Sequence, residues 1–164
     1  MGDDFVRQVY EASYRRLVGQ LYGVCGDLGE AEEVVQEAFA RAIQHERTFR
    51  HTDNPEAWLR TVALNLSRSR WRRRLVGDRL HRKTQRTDLV APDLSPDHVA
   101  LIEAMRQLPE AQRQVIALHH LADLPVNEVA EAVGAPVGTV KARLSRGRAA
   151  LAQLLAEREE ASHA

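Results

Sequence analysis

The sequence has little of what stabilises small secreted proteins or anchors proteins in membranes. Its 164 residues include one cysteine, Cys25, and a single thiol provides neither an internal disulfide nor a zinc cluster of several thiolates. The longest apolar stretches are far shorter than the roughly 20 residues that a membrane-spanning helix needs. The first residues, MGDDFVRQVY, are acidic where a secretory signal would be basic and then apolar. These absences predict a cytoplasmic protein with no membrane insertion.

Net charge is also lacking, because 23 basic residues balance 23 acidic ones. The charges are nevertheless segregated along the chain. Residues 68–86 hold 9 basic residues and 1 acidic residue, and residues 137–148 hold 4 basic residues and none that is acidic. The remaining segments, residues 1–67, 87–136 and 149–164, are each acidic overall. This pattern is typical of a protein that presents two electropositive surfaces while its other faces stay acidic.

The patterns of an enzyme or a metalloprotein are missing as well. The sequence contains no phosphate-binding glycine loop, no nucleophile with a nearby base and no paired catalytic carboxylates. His119, His120 and the other histidines lack further metal ligands at helical spacing. We therefore expect no catalytic residues, no cofactor and no metal.

Apolar residues recur at intervals of three and four along almost the whole chain, which predicts helices rather than strands. In the first half the spacing predicts three helices. The first runs from Phe5 to about Cys25, the second carries Val34 to Ile43, and the third begins with Asn54 as N-cap and continues into the arginine-rich segment.

The segment TDLVAPDLSPD, residues 87–97, has two prolines, three aspartates and no periodicity, and is interpreted as a flexible linker. Four further helices are predicted after it, the first capped by Ser95, with short turns at 108–109, 123–125 and 134–136. The expected fold is therefore all-α. Two small helical domains, residues 1–86 and 98–164, are joined by the linker.

The segment VNEVAEAVGAPVGTVKARLSRGR fits a helix-turn-helix. Ala130 is small where the second helix crosses the first, Gly134 tolerates the positive φ of the turn, and Val140 reaches back into the shared core. Ala135 is expected at the N-cap of the second helix, before Pro136, although alanine caps poorly.

The second helix of this motif has a polar face without acidic residues. A helical hairpin with a solvated basic face is the alternative. DNA binding is favoured because Ala130, Gly134 and Val140 all stand at the spacing that the helix-turn-helix requires. The residues expected to reach phosphates or base edges are Thr139, Lys141, Arg143, Ser145, Arg146 and Arg148.

The other basic segment begins NLSRSRWRRR and continues the third helix. There Thr61, Asn65, Arg68 and Arg72 form one polar stripe with Trp71 beside it. Arginines interleaved with an aromatic residue and an asparagine suit single-stranded or melted nucleic acid. Each of these residues also has a structural interpretation. The arginines could form a solvated helix end, Trp71 could pack in the core, and Asn65 could make a capping or core hydrogen bond. For Trp58 the core interpretation is favoured.

In this order the motifs resemble the sigma-70 family of bacterial transcription initiation factors, specifically its small two-domain extracytoplasmic-function (ECF) group. GEAEEVVQEAFARAI, residues 29–43, resembles the family's region 2.2, and WLRTVALNLSRSRWRRR, residues 58–74, resembles regions 2.3 and 2.4. Residues 108–151, with GTVKARLSRGR intact, resemble region 4. Residues 87–97 leave no room for the family's domain 3, and this assigns the chain to the ECF group.

The resemblance implies particular partners for each segment. Region 2.2 docks on the clamp helices of the RNA polymerase β′ subunit, and the matching residues are Glu33, Gln36, Glu37, Phe39 and Arg41, although the apolar stripe also favours a core position for Phe39. Regions 2.3 and 2.4 open and read the −10 element, with matching residues Asn65, Arg68, Arg72, Arg60, Trp71 and Arg73. Region 4 lies at the β flap, and its recognition-helix residues, already given, read the −35 element in duplex DNA.

The resemblance therefore implies a promoter-specificity subunit that binds core RNA polymerase and promoter DNA and has no catalytic activity of its own. An anti-sigma factor is a further expected partner, by resemblance only. The alternative is a stand-alone helix-turn-helix repressor or activator with an N-terminal oligomerisation lobe, which would bind duplex DNA by itself as a dimer. A third interpretation, an RNA-binding protein, would leave the helix-turn-helix offsets unexplained.

Overall fold

The computed structural model describes residues 2–75 and 95–164, without the side chains of residues 2, 3, 71, 74 and 75. Contacts between α-carbons divide the chain into two compact units, Met1–Asp93 and Leu94–Ala164, called here the N-terminal and C-terminal units. Every regular element of the described ranges is helical, which confirms the all-α prediction. Most of the predicted linker, residues 87–97, lies outside the described residues, and the domain boundaries stay a prediction.

The N-terminal unit contains four described helices where the sequence predicted three. They are α1 (Gly2–Cys25), α2 (Leu28–Gln44), α3 (Glu46–Arg50) and α4 (Pro55–Leu75). The unpredicted helix, α3, is five residues long and is too short to show a periodic pattern in the sequence.

Local capping chemistry sets the boundaries of these helices. Gly26 adopts a φ of 74° directly after α1, a conformation that glycine reaches at little cost. Asp27 then caps α2, its Oδ1 accepting a 2.9 Å hydrogen bond from the Glu30 amide. Asn54 does the same for α4, with a 3.1 Å bond from the Ala57 amide to its Oδ1. The predicted end at Cys25 and the predicted cap at Asn54 are confirmed.

The core of the N-terminal unit lies between α1, α2 and α4, with α3 closing one end. Leu17, Leu21 and Leu59 are almost completely buried. Phe49, the buried residue of α3, meets the half-buried ring of Trp58 edge-on, with 5.1 Å between ring centroids. Trp58 therefore contributes to the core, as its place in the apolar stripe predicted.

In the C-terminal unit the chain forms α5 (Pro96–Met105), α6 (Glu110–Ile116), a π-helical segment (Ala117–Leu121, called here the π turn), α7 (Val126–Val133) and α8 (Val137–His163). Ser95 caps α5, because its Oγ accepts a 3.1 Å hydrogen bond from the His98 amide. The four predicted helices and the three predicted turns are present, whereas the π turn was not foreseen.

The helix-turn-helix has the predicted packing and one unpredicted detail. Ala130 and Val140 are buried, and Gly134 ends α7 with a φ of 68°. The prediction that Ala135 is the N-cap of α8 was wrong. Pro136 occupies the N-cap with extended backbone, and its carbonyl accepts from the Val140 amide, while the Ala135 amide is still bonded to the carbonyl of Ala130. Because Pro136 itself caps the helix, the first helical residue is Val137.

Helices α6 and α8 approach each other closely at Gly147. Val140, Leu144 and Gly147 form the buried stripe of α8. A β-carbon added at Gly147 would lie 3.0 Å from Cγ1 and 3.3 Å from Cδ1 of Ile116, so only glycine allows this approach without displacing Ile116. No helix in residues 2–75 or 95–164 combines the length and the apolar content needed to cross a membrane.

Candidate nucleic-acid and polymerase interfaces

The surface of α8 opposite its buried stripe is basic. Lys141, Ser145, Arg146 and Arg148 are exposed, while Thr139 and Arg143 are half-buried. Val140 and Leu144, at 0% and 2% exposure, turn the other way into the core. The helix thus separates its apolar and polar faces as the spacing predicted, and the assignment of individual residues to DNA stays a prediction.

The centre of this polar face is made of small residues. On a helix of about 3.6 residues per turn, Lys141 and Arg148 fall on one side of the face and Arg143 and Arg146 on the other. Gly138, Ala142, Ser145 and Ala149 are all exposed between them. A helix of this shape can enter a major groove about 12 Å wide, with its small residues near the bases and its cations near the two strands.

On α4 the predicted polar stripe faces outward. Thr61, Asn65 and Arg72 are exposed and Arg68 is half-buried, whereas Leu64, next to Asn65, is 6% exposed. Exposure of Asn65 in the middle of a helix removes the core hydrogen bond as an explanation for an otherwise unfavourable residue. The stripe therefore offers hydrogen-bonding groups to a partner along about three helical turns.

The remaining candidates in this region differ in their surroundings. The Arg60 side chain is 11% exposed, and its Nε donates a 3.0 Å hydrogen bond to Oε1 of Gln20 on α1. Arg60 is therefore part of the packing between α1 and α4. Arg73 is exposed. The side chain of Trp71 and the rest of the basic segment, residues 76–86, lie outside the described residues.

The face of α2 carries the residues expected to dock on polymerase. Glu33, Gln36, Glu37 and Arg41 are exposed. Phe39 is only 4% exposed and meets the ring of Tyr10 edge-on at 5.0 Å, which is the core position that its apolar stripe favoured. Phe39 therefore holds α2 against α1 and does not lie on the surface.

The sequence pattern did not single out three side chains that lie next to this face of α2. Tyr10 and Tyr14 of α1 stack with 4.6 Å between ring centroids, and Tyr14 Oη accepts a hydrogen bond of 3.2 Å from Gln36 Nε2. Burial is the largest cause raising the Tyr14 pKa. Arg70 of α4 forms a 2.6 Å ion pair with Glu33. In the sequence, both tyrosines stand out only as apolar positions of the first helix, spaced three and four residues apart.

Within the described ranges, no group of three or more histidine, cysteine, aspartate or glutamate side chains is arranged to hold a metal ion. His119 and His120 lie together in the π turn, with 4.8 Å between ring centroids. His119 is fixed by a 2.8 Å hydrogen bond between its Nδ1 and the carbonyl of Leu124.

Comparison with known families gives two matches in the order of the chain. Residues 9–75 match the family model described as Sigma-70 region 2. Residues 98–151 match the one described as Sigma-70, region 4. The two matched ranges contain α4 with its polar stripe and the basic part of α8, respectively.

Individual proteins and structures agree with these matches. The chain is 32% identical to the ECF RNA polymerase sigma factor SigW of Bacillus subtilis, over 93% of this chain and 86% of that protein. It is 33% identical to the ECF RNA polymerase sigma factor EcfG of Rhodopseudomonas palustris, over 79% and 74%. Its structure resembles the sigma factor RpoE of Bartonella quintana, solved in complex with the anti-sigma factor NepR, with a TM-score of 0.68, 26% identity and coverage of 93% and 96%.

Proposed function

The chain belongs to the sigma-70 family of RNA polymerase sigma factors, in its ECF group, and from that premise we propose that it binds core RNA polymerase and directs transcription from specific promoters. The single observation that carries the proposal is the presence of both family regions, in order, on one chain that aligns with SigW over 93% of its length. The exposed polar stripe of α4 and the basic face of α8 support it.

The two units have separate tasks in this proposal. The N-terminal unit holds the −10 element in melted form on α4, with Asn65, Arg68 and Arg72 as the main contacts and Arg60, Trp71 and Arg73 beside them. The C-terminal unit reads the −35 element as duplex DNA with α8. Side chains that stack on or bond to unpaired bases suit the first task, and a helix with cations at both sides suits the second.

Binding to polymerase is assigned to α2 through the exposed residues Glu33, Gln36, Glu37 and Arg41, with Phe39 supporting the helix from beneath. The C-terminal unit would contact the β flap. An anti-sigma factor is proposed as a further partner, because the RpoE relative was solved in complex with one. The protein acts by binding, without catalysis of its own, and its place of action with polymerase is the cytoplasm.

A stand-alone helix-turn-helix regulator is not favoured. Such a protein would use the N-terminal unit for oligomerisation only, and that role gives no reason for a match to Sigma-70 region 2 over residues 9–75. The family membership accounts for both units at once.

The deciding experiment is transcription in vitro with core RNA polymerase and genomic DNA of the source organism, followed by sequencing of transcript 5′ ends. We expect defined start sites that depend on the added protein and share two upstream elements. Substituting Asn65→Ala should reduce those transcripts about fivefold to a hundredfold, the range expected when one base contact is lost. It should leave binding to core polymerase unchanged.

The matched control is Ser69→Ala, which changes another exposed position of α4 and should leave transcription intact. If the protein yields no specific start sites with active core polymerase, the proposed function is wrong. If Ser69→Ala and Asn65→Ala reduce transcription equally, the assignment of Asn65 to the promoter is wrong while the function stands.

A further inference from the structure

The π turn brings a histidine against the recognition helix. It follows α6 directly, is separated from α7 by residues 122–125, and contacts both helices. His119 and His120 occupy adjacent positions in it. Neither histidine has a role in the function proposed above.

The two histidines of the π turn have different surroundings. His119 is half-buried, and the Leu124 carbonyl accepts a hydrogen bond from its Nδ1, which fixes the ring. His120 is exposed, and its Nε2 lies 3.5 Å from Nη1 of Arg148. Two nitrogen-bearing side chains from different elements therefore converge at one exposed point, and both can donate to an oxygen anion once His120 is protonated.

The electrostatic surroundings of His120 are unfavourable for its charged form in the absence of an anion. Burial, then the neighbouring His119, then Arg148 lower its pKa. Among the described residues, α6 and α7, which also pack against the π turn, add no charged group to this effect. An anion placed between His120 and Arg148 would reverse the sign of the interaction and raise the pKa of His120.

The position of Arg148 identifies the anion. Lys141 and Arg148 lie seven residues apart, about two helical turns, on the same side of α8. The site is therefore continuous with one edge of the recognition helix, where the sugar–phosphate strand beside an occupied major groove would lie. A phosphodiester of duplex DNA fits this continuity better than a small free anion would.

We propose that His120 and Arg148 together bind one backbone phosphate of the −35 duplex, and that His120 takes up a proton as the DNA binds. The proposal rests on the proposed function. Binding and protonation are linked reciprocally, so DNA affinity rises as the pH falls through the range in which free His120 is neutral and bound His120 is protonated. Phosphate contacts carry no sequence information, so this effect is independent of the promoter.

The test measures binding of the full chain to a mixed-sequence duplex oligonucleotide at low salt, at about pH 6 and about pH 8, the range over which a histidine changes charge. For the unchanged protein, the slope of log affinity against log salt should steepen at the lower pH by up to about 0.9, the value for a whole additional phosphate contact, because Arg148 contacts the same phosphate. Affinity should rise about twofold to fivefold, as for an exposed charge pair.

Two substitutions at the site and one control separate His120 from the other histidines. His120→Gln should remove the part of the pH dependence of DNA affinity that this site adds. His120→Lys should keep the steeper slope of log affinity against log salt at both pH values, because lysine stays charged. His163→Gln, at the exposed end of α8, should behave like the unchanged protein. Equal pH dependence in the unchanged protein and in His120→Gln, or no duplex binding at the lower pH, would overturn the proposal.

A second measurement distinguishes duplex DNA from a free anion. The pKa of the His120 ring, followed by NMR, should rise when the duplex is added and rise less with inorganic phosphate at matched ionic strength. An equal rise with inorganic phosphate would refute the assignment to DNA. Failure of these binding tests leaves the transcription assay unaffected, so the phosphate site and the sigma-factor function can fail separately.

Discussion

The contact between α6 and α8 at Gly147 allows a direct test of how the recognition helix is seated. In Gly147→Ala the new β-carbon would lie 3.0 Å from Ile116 Cγ1 and 3.3 Å from Cδ1, and 3.5 Å from Gln112 Cβ. The first distance is too short for an ordinary carbon–carbon contact, and Ile116 is only 3% exposed. Ile116 must therefore move within a filled core, or α8 must move away from α6.

Two opposing effects set the magnitude. Replacing glycine by alanine inside a helix stabilises it by about 1 kcal/mol. Forcing an extra carbon into a packed core costs about 1–3 kcal/mol. The balance predicts that Gly147→Ala lowers the free energy of unfolding of the C-terminal unit by about 0–2 kcal/mol.

Gly138→Ala provides the matched control on the same helix, because a β-carbon at Gly138 meets nothing within 4 Å. It should stabilise the unit by up to about 1 kcal/mol. Truncating the neighbour should reverse the sign at the test position: in an Ile116→Ala background, which lacks the two crowded atoms, Gly147→Ala should become stabilising.

The two units can be followed separately in the full chain. Both tryptophans, Trp58 and Trp71, belong to the N-terminal unit, so their fluorescence reports its unfolding in urea, while far-ultraviolet circular dichroism reports both units. Gly147→Ala should shift the urea midpoint of the C-terminal unit, which only circular dichroism detects. It should leave the midpoint of the fluorescence transition unchanged. If Gly147→Ala stabilises the protein as much as Gly138→Ala, the close packing of α6 on α8 is refuted.

Two further predictions concern stability. Phe49→Ala, which empties a fully buried ring position beside Trp58, should destabilise the N-terminal unit by about 3–5 kcal/mol in fluorescence-detected urea unfolding, and a similar loss in the control Ile43→Ala, at a residue 55% exposed, would contradict it. His98 Nε2 is enclosed without a hydrogen-bond partner among the described residues, and burial lowers the His98 pKa. As the pH falls below the ordinary histidine pKa of about 6.5, His98 becomes protonated in the unfolded chain but stays neutral in the folded chain. The C-terminal unit should therefore lose stability as the pH falls. His98→Leu should weaken that loss in circular dichroism, and an unchanged pH dependence would count against a neutral His98 in the folded chain.

The helical elements and their caps were largely predictable because their causes are local. Periodic apolar residues three and four apart, and cap residues such as Asn54 and Ser95, act within one or two turns of the chain. The error at the start of α8 has a local cause too. Pro136 can serve as N-cap or as first helical residue, and only its observed backbone conformation distinguishes the two.

The candidate sites were predictable in their residue types and only partly in their geometry. The basic face of α8 and the polar stripe of α4 follow from helical spacing, and both are present. Spacing gave no sign that Arg60 is bonded to Gln20, or that Glu33 is paired with Arg70. The sequence alone also left Phe39 between the surface and the core, which its contact with Tyr10 decides.

The amino-acid sequence by itself determined the described helices other than α3 and the π turn, the helix-turn-helix, the two basic segments and the family resemblance, because each depends on residues close together in the chain. Only the tertiary structure decided which charged side chains are engaged, where α6 and α8 touch, and that His120 lies beside Arg148. Those contacts join residues that are 40, 37 and 28 positions apart for Arg60–Gln20, Arg70–Glu33 and Arg148–His120. Packing between helices brings such residues together, and no local periodicity encodes it.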